Sequence, residues 1–344
     1  MINHFSSPSK LPLRLYPTNK CNFRCLTPIN TQFCDHIYEE LDADLDSFVT
    51  ISKKFFTTGL SDIVKISGRE PTLYPNLVDL IHELKRIYPK IMLSTNGTGS
   101  ISLMQSLIDG GVSIFALPFH TNNREKYIRM CGISGKTADR YFDHTQQIIA
   151  HLSEQKQEIH LIRVLMRGLN DSVEELDEFI EFCGKYRAMG KIFTLNYHPN
   201  IHRSFENNQF VNPASNISAL DVFNSLYVDT KSFREYIRDK SIKSDSYSND
   251  FSLRTIYTYG MENGARFLFD SFEKAKSRYD RYDFCKSCPY IKECNEGPYS
   301  NGWEITPDLK LQVCPMRSDL TIDLQNPEEI KEISFEGGNL NVIR

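Results

Sequence analysis

The sequence predicts an α/β protein built around a parallel sheet, and two observations lead there. Six short apolar segments recur along the first 197 residues, and the stretches between them carry apolar residues at three- and four-residue spacing. Strands that alternate with helical crossovers form a parallel sheet, and six of them suit a partial barrel as well as an open doubly wound sheet. In both architectures the chemistry gathers where strands end and loops begin.

The expected strands are 13–16, 62–66, 91–94, 113–117, 159–166 and 192–197. The expected helices between them are 45–58, 77–87, 101–108, 138–152 and 173–182, whose spacing buries one face. Polar groups follow each strand. The first leads to Cys21 and Cys25, the second to Ser67-Gly68-Arg69-Glu70-Pro71, the third to Thr95-Asn96-Gly97 and the fourth to His120. The fifth ends at Arg167-Gly168-Leu169-Asn170 and the sixth at His198. Taken singly these are turn glycines, Asn-Gly turns and solvated histidines; a shared rim gives them a functional meaning. After His198 the composition turns to Asn, Ser and Asp, which places a boundary near residue 215. The chain then divides into a core, 1–215, and a smaller C-terminal region, 216–344. Helical stretches are expected there at 220–228 and 264–277, and a loose connection at 239–252.

Composition narrows the function. Lys and Arg number 40 against 44 Asp and Glu, a net charge of −4, too balanced for a protein that lives on a phosphate backbone. Apolar residues at 40% supply a sizeable core, and no run approaches a membrane span or a secretory signal. A cytoplasmic protein is expected. Of nine cysteines, Cys21, Cys25 and Cys34 lie near the start and Cys285, Cys288, Cys294 and Cys314 near the end. In a reducing compartment such spacing reads as ligation of a soft metal centre rather than as disulfides. Cys131 and Cys183 stand apart and read as packed thiols.

Cys21-Asn22-Phe23-Arg24-Cys25 after a strand, then Gly68-Arg69-Glu70-Pro71 and Ser94-Thr95-Asn96-Gly97-Thr98, resembles the radical S-adenosylmethionine (radical SAM) superfamily. Within it, Val164-Leu165-Met166-Arg167-Gly168-Leu169-Asn170-Asp171 is similar to the branch containing the GTP 3',8-cyclases of molybdenum-cofactor biosynthesis. The resemblance implies a partial (β/α)6 TIM-type barrel holding a [4Fe-4S] cluster that cleaves SAM to a 5'-deoxyadenosyl radical. Three cysteine ligands leave one iron open to chelate SAM. The resemblance also implies a flavodoxin- or ferredoxin-type electron donor, since the cluster must work at a low potential.

The chain departs from that pattern in three places. Pro28 stands where the third cysteine usually falls, and Cys34 in Phe33-Cys34-Asp35-His36 is the replacement candidate, giving C-x3-C-x8-C. A loop longer by six residues adds little closure entropy. The usual Gly-Gly-Glu-Pro reads Gly68-Arg69-Glu70-Pro71, which keeps the carboxylate expected to accept from the SAM ammonium. Pro118 occupies a position where relatives carry a ribose-contacting serine. Gly68, Glu70, Thr95, Asn96 and Met166 are the implied SAM neighbours.

Cys285-x2-Cys288-x5-Cys294 followed by Cys314 resembles the twitch or SPASM extension, which carries an auxiliary [4Fe-4S] cluster; structural zinc is the competing reading. Substrate-facing candidates are Arg69, His120, Arg163, Arg167, His198 and Arg317, cations that suit a phosphate or carboxylate. The leading function is a radical SAM enzyme acting on a small polar, nucleotide-like or anionic metabolite in a biosynthetic pathway. A peptide-modifying enzyme and a degenerate, non-catalytic binding module are the alternatives.

Overall fold

The computed structural model describes residues 10–25, 40–133, 138–195, 218–249, 254–271, 282–289, 291–292, 294, 298–299, 302–314, 317–336 and 339–344. The six expected strands form as β1 (Leu13–Leu15), β2 (Ile63–Ile66), β3 (Lys90–Ser94), β4 (Ile114–Pro118), β5 (Glu158–Leu165) and β6 (Met189–Thr194). Between them run α1 (Leu45–Thr57), α2 (Leu77–Lys85), α3 (Ile101–Asp109), α4 (Arg124–Met130), α5 (Ala138–Glu154) and α6 (Val173–Lys185). Helix starts follow local chemistry: Asp44, Ser100, Asn123 and Ser172 each accept a first-turn backbone N–H, which satisfies a donor the helix itself cannot. In α1, Phe48, Ile51 and Phe55 are wholly buried, the three- and four-residue spacing that turns one face onto Leu13, Leu15 and Val64 in the same core. The short α4 was not expected.

The C-terminal region adds α7 (Ala219–Leu226), α8 (Lys231–Lys240), β7 (Lys243–Asn249), β8 (Arg254–Gly260), β9 (Arg266–Ser271), α9 (Asp283–Lys286), β10 (Trp303–Ile305), β11 (Lys310–Cys314), β12 (Arg317–Asp323), β13 (Glu332–Glu336) and β14 (Asn339–Ile343). Two expectations are corrected here. The segment 264–277 is not helical over 266–271 but the strand β9, whose Phe267 and Phe269 are buried while Arg266, Leu268 and Asp270 are less so, a two-residue period. The expected loose connection at 239–252 contains β7.

Twelve strands form one sheet in the order β12-β11-β10-β1-β2-β3-β4-β5-β6-β9-β8-β7, and β13 pairs with β14 separately. From β10 through β1 to β6 and on to β9 every pairing is parallel, and both flanks are antiparallel. The α/β class and the parallel βα order agree with the sequence reading. The C-terminal region does not stand aside: it supplies a parallel neighbour to β1 and another to β6. Parallel pairing puts the C-terminal ends of β1 to β6 along one edge, and that edge carries the loops with the polar motifs. No helix among the described residues is long and apolar enough to cross a membrane.

Candidate active site

The loop after β1 is held from both sides. Ala43 donates its N–H to the Pro17 carbonyl at 2.8 Å, and Asn19 donates to Leu41 at 3.0 Å. Phe23 is buried and packs edge-on against Tyr141 at 5.6 Å between ring centroids, which anchors the middle of the Cys21–Cys25 turn. Arg24 donates its N–H to the Cys131 carbonyl at 3.0 Å. The neighbouring Cys131 thiol, then burial, raises the Cys25 thiol above its usual range. Pro28, Cys34 and His198 lie outside the described residues.

At the end of β2, Gly68 has φ +107°, and a Cβ there would sit 3.1 Å from the Tyr16 side chain. A left-handed residue so close to an aromatic ring has to be glycine. Glu70 follows, wholly buried. Its Oε1 accepts from Thr72 N at 3.1 Å, Thr72 Oγ1 at 2.5 Å and Thr95 Oγ1 at 2.6 Å. Its Oε2 accepts from Asn96 N at 2.6 Å. Burial raises the Glu70 pKa, and these donors oppose the rise. Asn96 Nδ2 donates to Asn22 Oδ1 at 2.7 Å, and Asn22 Nδ2 donates to Thr98 Oγ1 at 2.9 Å. Asn22, inside the cysteine turn, therefore ties that turn to the Thr95-Asn96 loop.

These side chains fit an iron-sulfur cluster with SAM in chemical character. Cys21 and Cys25 are soft donors on one pinned turn. Beside the buried carboxylate, Ser67 Oγ and Arg69 Nε are buried without a hydrogen-bond partner, polar atoms whose desolvation nothing offsets. A ligand with charged groups at this edge would supply the missing partners.

A second group forms where β4 and β5 end. Asn170 Nδ2 donates to the carbonyls of His120 and Val164, both at 2.9 Å, and its Oδ1 accepts from Met166 N at 2.8 Å. His120 Nδ1 accepts from Val164 N at 3.2 Å, and burial with the nearby Arg163 charge lowers its pKa to about 4. Arg163 is wholly buried, donates to the carbonyls of Asn170 at 2.7 Å and Glu175 at 3.0 Å, and lies 5.1 Å over the Phe179 ring. Its guanidinium is thus engaged with main chain rather than with the edge. Met166 is buried among Val164, Leu169, Leu195 and Phe223. Arg167 is exposed, its N–H bonded to the Leu226 carbonyl at 2.8 Å.

Charged side chains also stand along the strands themselves. Tyr16 on β1's continuation donates its hydroxyl to Glu304 on β10, whose carboxylate lies 3.5 Å from Arg14. Glu158 on β5 pairs with His160 at 2.9 Å and with Lys90 at 3.9 Å. Desolvation pulls the Lys191 ammonium down to about 8 against the pull of Asp270 and Glu158. Glu304 gave no signal in sequence, because its partner is set only by the β1–β10 pairing.

Of the C-terminal cysteines, Cys285 and Cys314 are buried and Cys288 and Cys294 partly so. Cys288 donates its N–H to the Cys285 carbonyl at 3.0 Å. Arg317 sits opposite Cys314 in the β11–β12 hairpin, forms two bonds to the Asp319 carboxylate at 2.7 and 2.6 Å, and has the Cys288 side chain nearby. Those partners raise its pKa. Among the described residues no three cysteine, histidine or carboxylate side chains converge on one ion position.

Comparison with known proteins agrees with this geometry. Residues 15–183 match the model of the radical SAM superfamily. The chain is 26% identical over 220 residues to a Pyrococcus abyssi protein named probable GTP 3',8-cyclase, covering 61% of this chain and 63% of the relative. A Thermococcus kodakarensis protein of the same name is 22% identical over 335 residues, 93% of this chain and 92% of its own. Among solved structures, Streptococcus suis SuiB bound to S-adenosylmethionine has the same fold, with a TM-score of 0.59 and 14% identity over 91% of this chain and 63% of SuiB. This chain thus spans 63% of the length of the Pyrococcus relative and of SuiB.

Proposed function

We propose that this chain, which belongs to the radical SAM superfamily through its residues 15–183, is an enzyme that removes a hydrogen atom from a small, anionic, polar metabolite. The observation that carries the proposal is the wholly buried Glu70 carboxylate, held by Thr72, Thr95 and Asn96 at the edge where the Cys21–Cys25 turn is tied down through Asn22. A [4Fe-4S] cluster with SAM at that edge supplies a 5'-deoxyadenosyl radical, a species strong enough to attack an unactivated carbon.

The protein's own groups do the rest. Cys21, Cys25 and Cys34 hold the cluster. Glu70 Oε2 accepts one of the hydrogen bonds described above, which leaves it acceptor capacity for the SAM ammonium. Arg69, whose Nε is buried without a partner, offers a cation to the SAM carboxylate. Thr95 and Asn96 fix the Glu70 carboxylate so that it costs no reorganisation when SAM binds. Arg14 and Lys191, with Glu304, Asp270 and Glu158 beside them, line the strands with charge that suits a polar substrate, and the buried, neutral His120 closes the end of β4. Cys285, Cys288, Cys294 and Cys314 hold an auxiliary cluster. A low-potential flavodoxin- or ferredoxin-type protein delivers the electron.

Anaerobic reconstitution tests this. About eight irons per chain are expected, with 5'-deoxyadenosine released on reduction with SAM. Cys34→Ala abolishes that release, and Cys294→Ala roughly halves the iron. Reconstituted wild-type protein that holds no iron, or releases no 5'-deoxyadenosine, overturns the reading.

A further inference from the structure

Strand β7 closes one end of the twelve-stranded sheet: among the described residues it pairs with β8 and has no strand on its other side. The main-chain groups along such an edge are a template for a further strand. Lys243, Ser244, Asp245 and Ser246 are exposed, and Ile242 just before them is 72% exposed, more than any other large apolar side chain described. Lys243 and Asp245 carry opposite charges two positions apart, so pleating puts both on one face. Neither forms an ion pair among the described residues; Asp245 Oδ1 accepts from Ser246 N at 2.8 Å, which leaves Oδ2. On the other face Ser244 and Ser246 lie opposite Tyr259 and Tyr257 of β8, and these four, with Arg234 and Arg238 of α8, are among the residues lining a cavity of about 410 Å3.

We infer that β7 pairs with the β7 strand of a second copy of this chain, antiparallel about a twofold axis at Ser244, so that two sheets join edge to edge. The charge pattern sets both orientation and register. Centred on Ser244, each Lys243 faces Asp245 of the other copy, and two cross-strand ion pairs form from side chains that have no counter-ion among the described residues. Moving the axis to Lys243 or to Asp245 sets two like charges face to face, so the neighbouring registers are disfavoured. The same register brings Ile242 opposite Ser246 of the other copy, whose β8 neighbour is Tyr257, and so covers the exposed apolar side chain. A single strand pairing is a small interface, which makes the dimer weak and concentration-dependent. The pairing needs no metal and is independent of the cluster chemistry proposed above.

Sedimentation equilibrium of the full chain at low ionic strength, where exposed ion pairs count most, tests the pairing. The wild type is expected to pass from monomer to dimer as its concentration rises. Lys243→Asp and Asp245→Lys each set like charges opposite one another in both symmetry-related pairs, and each is expected to weaken the dimer at least about tenfold. Mixed in equal amounts, the two variants are complementary at both positions, and a mixed dimer as tight as that of the wild type is expected. The doubly exchanged Lys243→Asp/Asp245→Lys chain pairs like the wild type. Recovery on mixing also shows that both single variants fold. A wild type that stays monomeric at every soluble concentration, a dimer indifferent to the single exchanges, assembly beyond the dimer, or variants that do not recover on mixing overturn the inference.

Discussion

Tyr16, at the end of β1, gives its hydroxyl hydrogen bond to Glu304 on β10, a residue 288 positions later in the chain. The same carboxylate faces Arg14 at 3.5 Å, so one acid satisfies two groups on the strand that leads into the cysteine turn. Burial and the Glu304 charge together push the Tyr16 hydroxyl's pKa well up, which keeps it a donor. Through this contact the C-terminal region fixes the strand from which the proposed cluster site hangs. Glu304→Ala leaves Arg14 facing a poorly solvated interior without its counter-charge. A loss of about 3 kcal/mol is expected, read as a lower urea midpoint at unchanged slope. An unchanged midpoint would mean that the pair contributes nothing to the β1–β10 seam.

Glu70 separates a structural from a ligand-binding role. Glu70→Gln replaces an oxygen by an NH2 group that faces N–H or hydroxyl donors on either side, so one of the bonds from Thr72, Thr95 or Asn96 becomes a clash of donors. A stability loss of about 1–2 kcal/mol is expected from that alone. If Oε2 also receives the SAM ammonium, affinity for SAM falls by at least about tenfold, measured by equilibrium dialysis under anaerobic conditions with reconstituted protein. A destabilised variant that binds SAM as tightly as the wild type would confine Glu70 to holding the loops.

The βα core was legible because each of its elements declares itself locally. In α1 the apolar residues fall at helical spacing, and in β2 Val64 and Ile66 alternate with Lys65. The C-terminal strands were not legible. β7 reads Lys-Ser-Asp-Ser-Tyr-Ser-Asn and lies at the exposed end of the sheet, where no buried face imposes a pattern. At 264–277, Phe267 and Phe269 signal a strand, but the surrounding charged residues mimic helical spacing. α4 has seven residues, too few for a period to show. At the candidate site, the residues quoted from the motifs meet because successive parallel strands bring their ends together. Asn170's bonds to His120 and the Arg24 bond to the Cys131 carbonyl depend on tertiary placement, which no spacing encodes.

Gly68 predicts a strain effect. Its φ of +107° disfavours any L side chain, and an alanine methyl would press on Tyr16 Cβ and Cδ1, each 3.1 Å away. Gly68→Ala is expected to cost about 2 kcal/mol and to displace Tyr16. The displacement is read in tyrosine fluorescence or in altered protection of the Ser67 amide, which donates to the Leu15 carbonyl at 2.9 Å. Wild-type stability in this variant would show that the loop relaxes freely, and so that the Gly68 backbone is not held by the ring.

His120 predicts how stability responds to acid. Its Nδ1 must be unprotonated to accept from Val164 N, and burial with the Arg163 charge holds its pKa at about 4, below the ordinary value near 6.5. The lowered folded-state value sets the sign. Above pH 6.5 the group is neutral whether the chain is folded or not, and the stability is fully present. Between 6.5 and about 4 the unfolded chain takes up a proton that the folded one refuses, so stability falls with pH across that window. His160, lowered to about 3 by burial and by Lys191, acts in the same direction. The urea midpoint of His120→Gln, which cannot titrate at this position, is therefore expected to fall less between pH 7 and pH 4.5 than that of the wild type, the rest of the fall coming from His160 and from carboxylates such as Glu158 whose pKa values are lowered. An identical drop in both proteins would mean that His120 escapes its buried position before it is protonated.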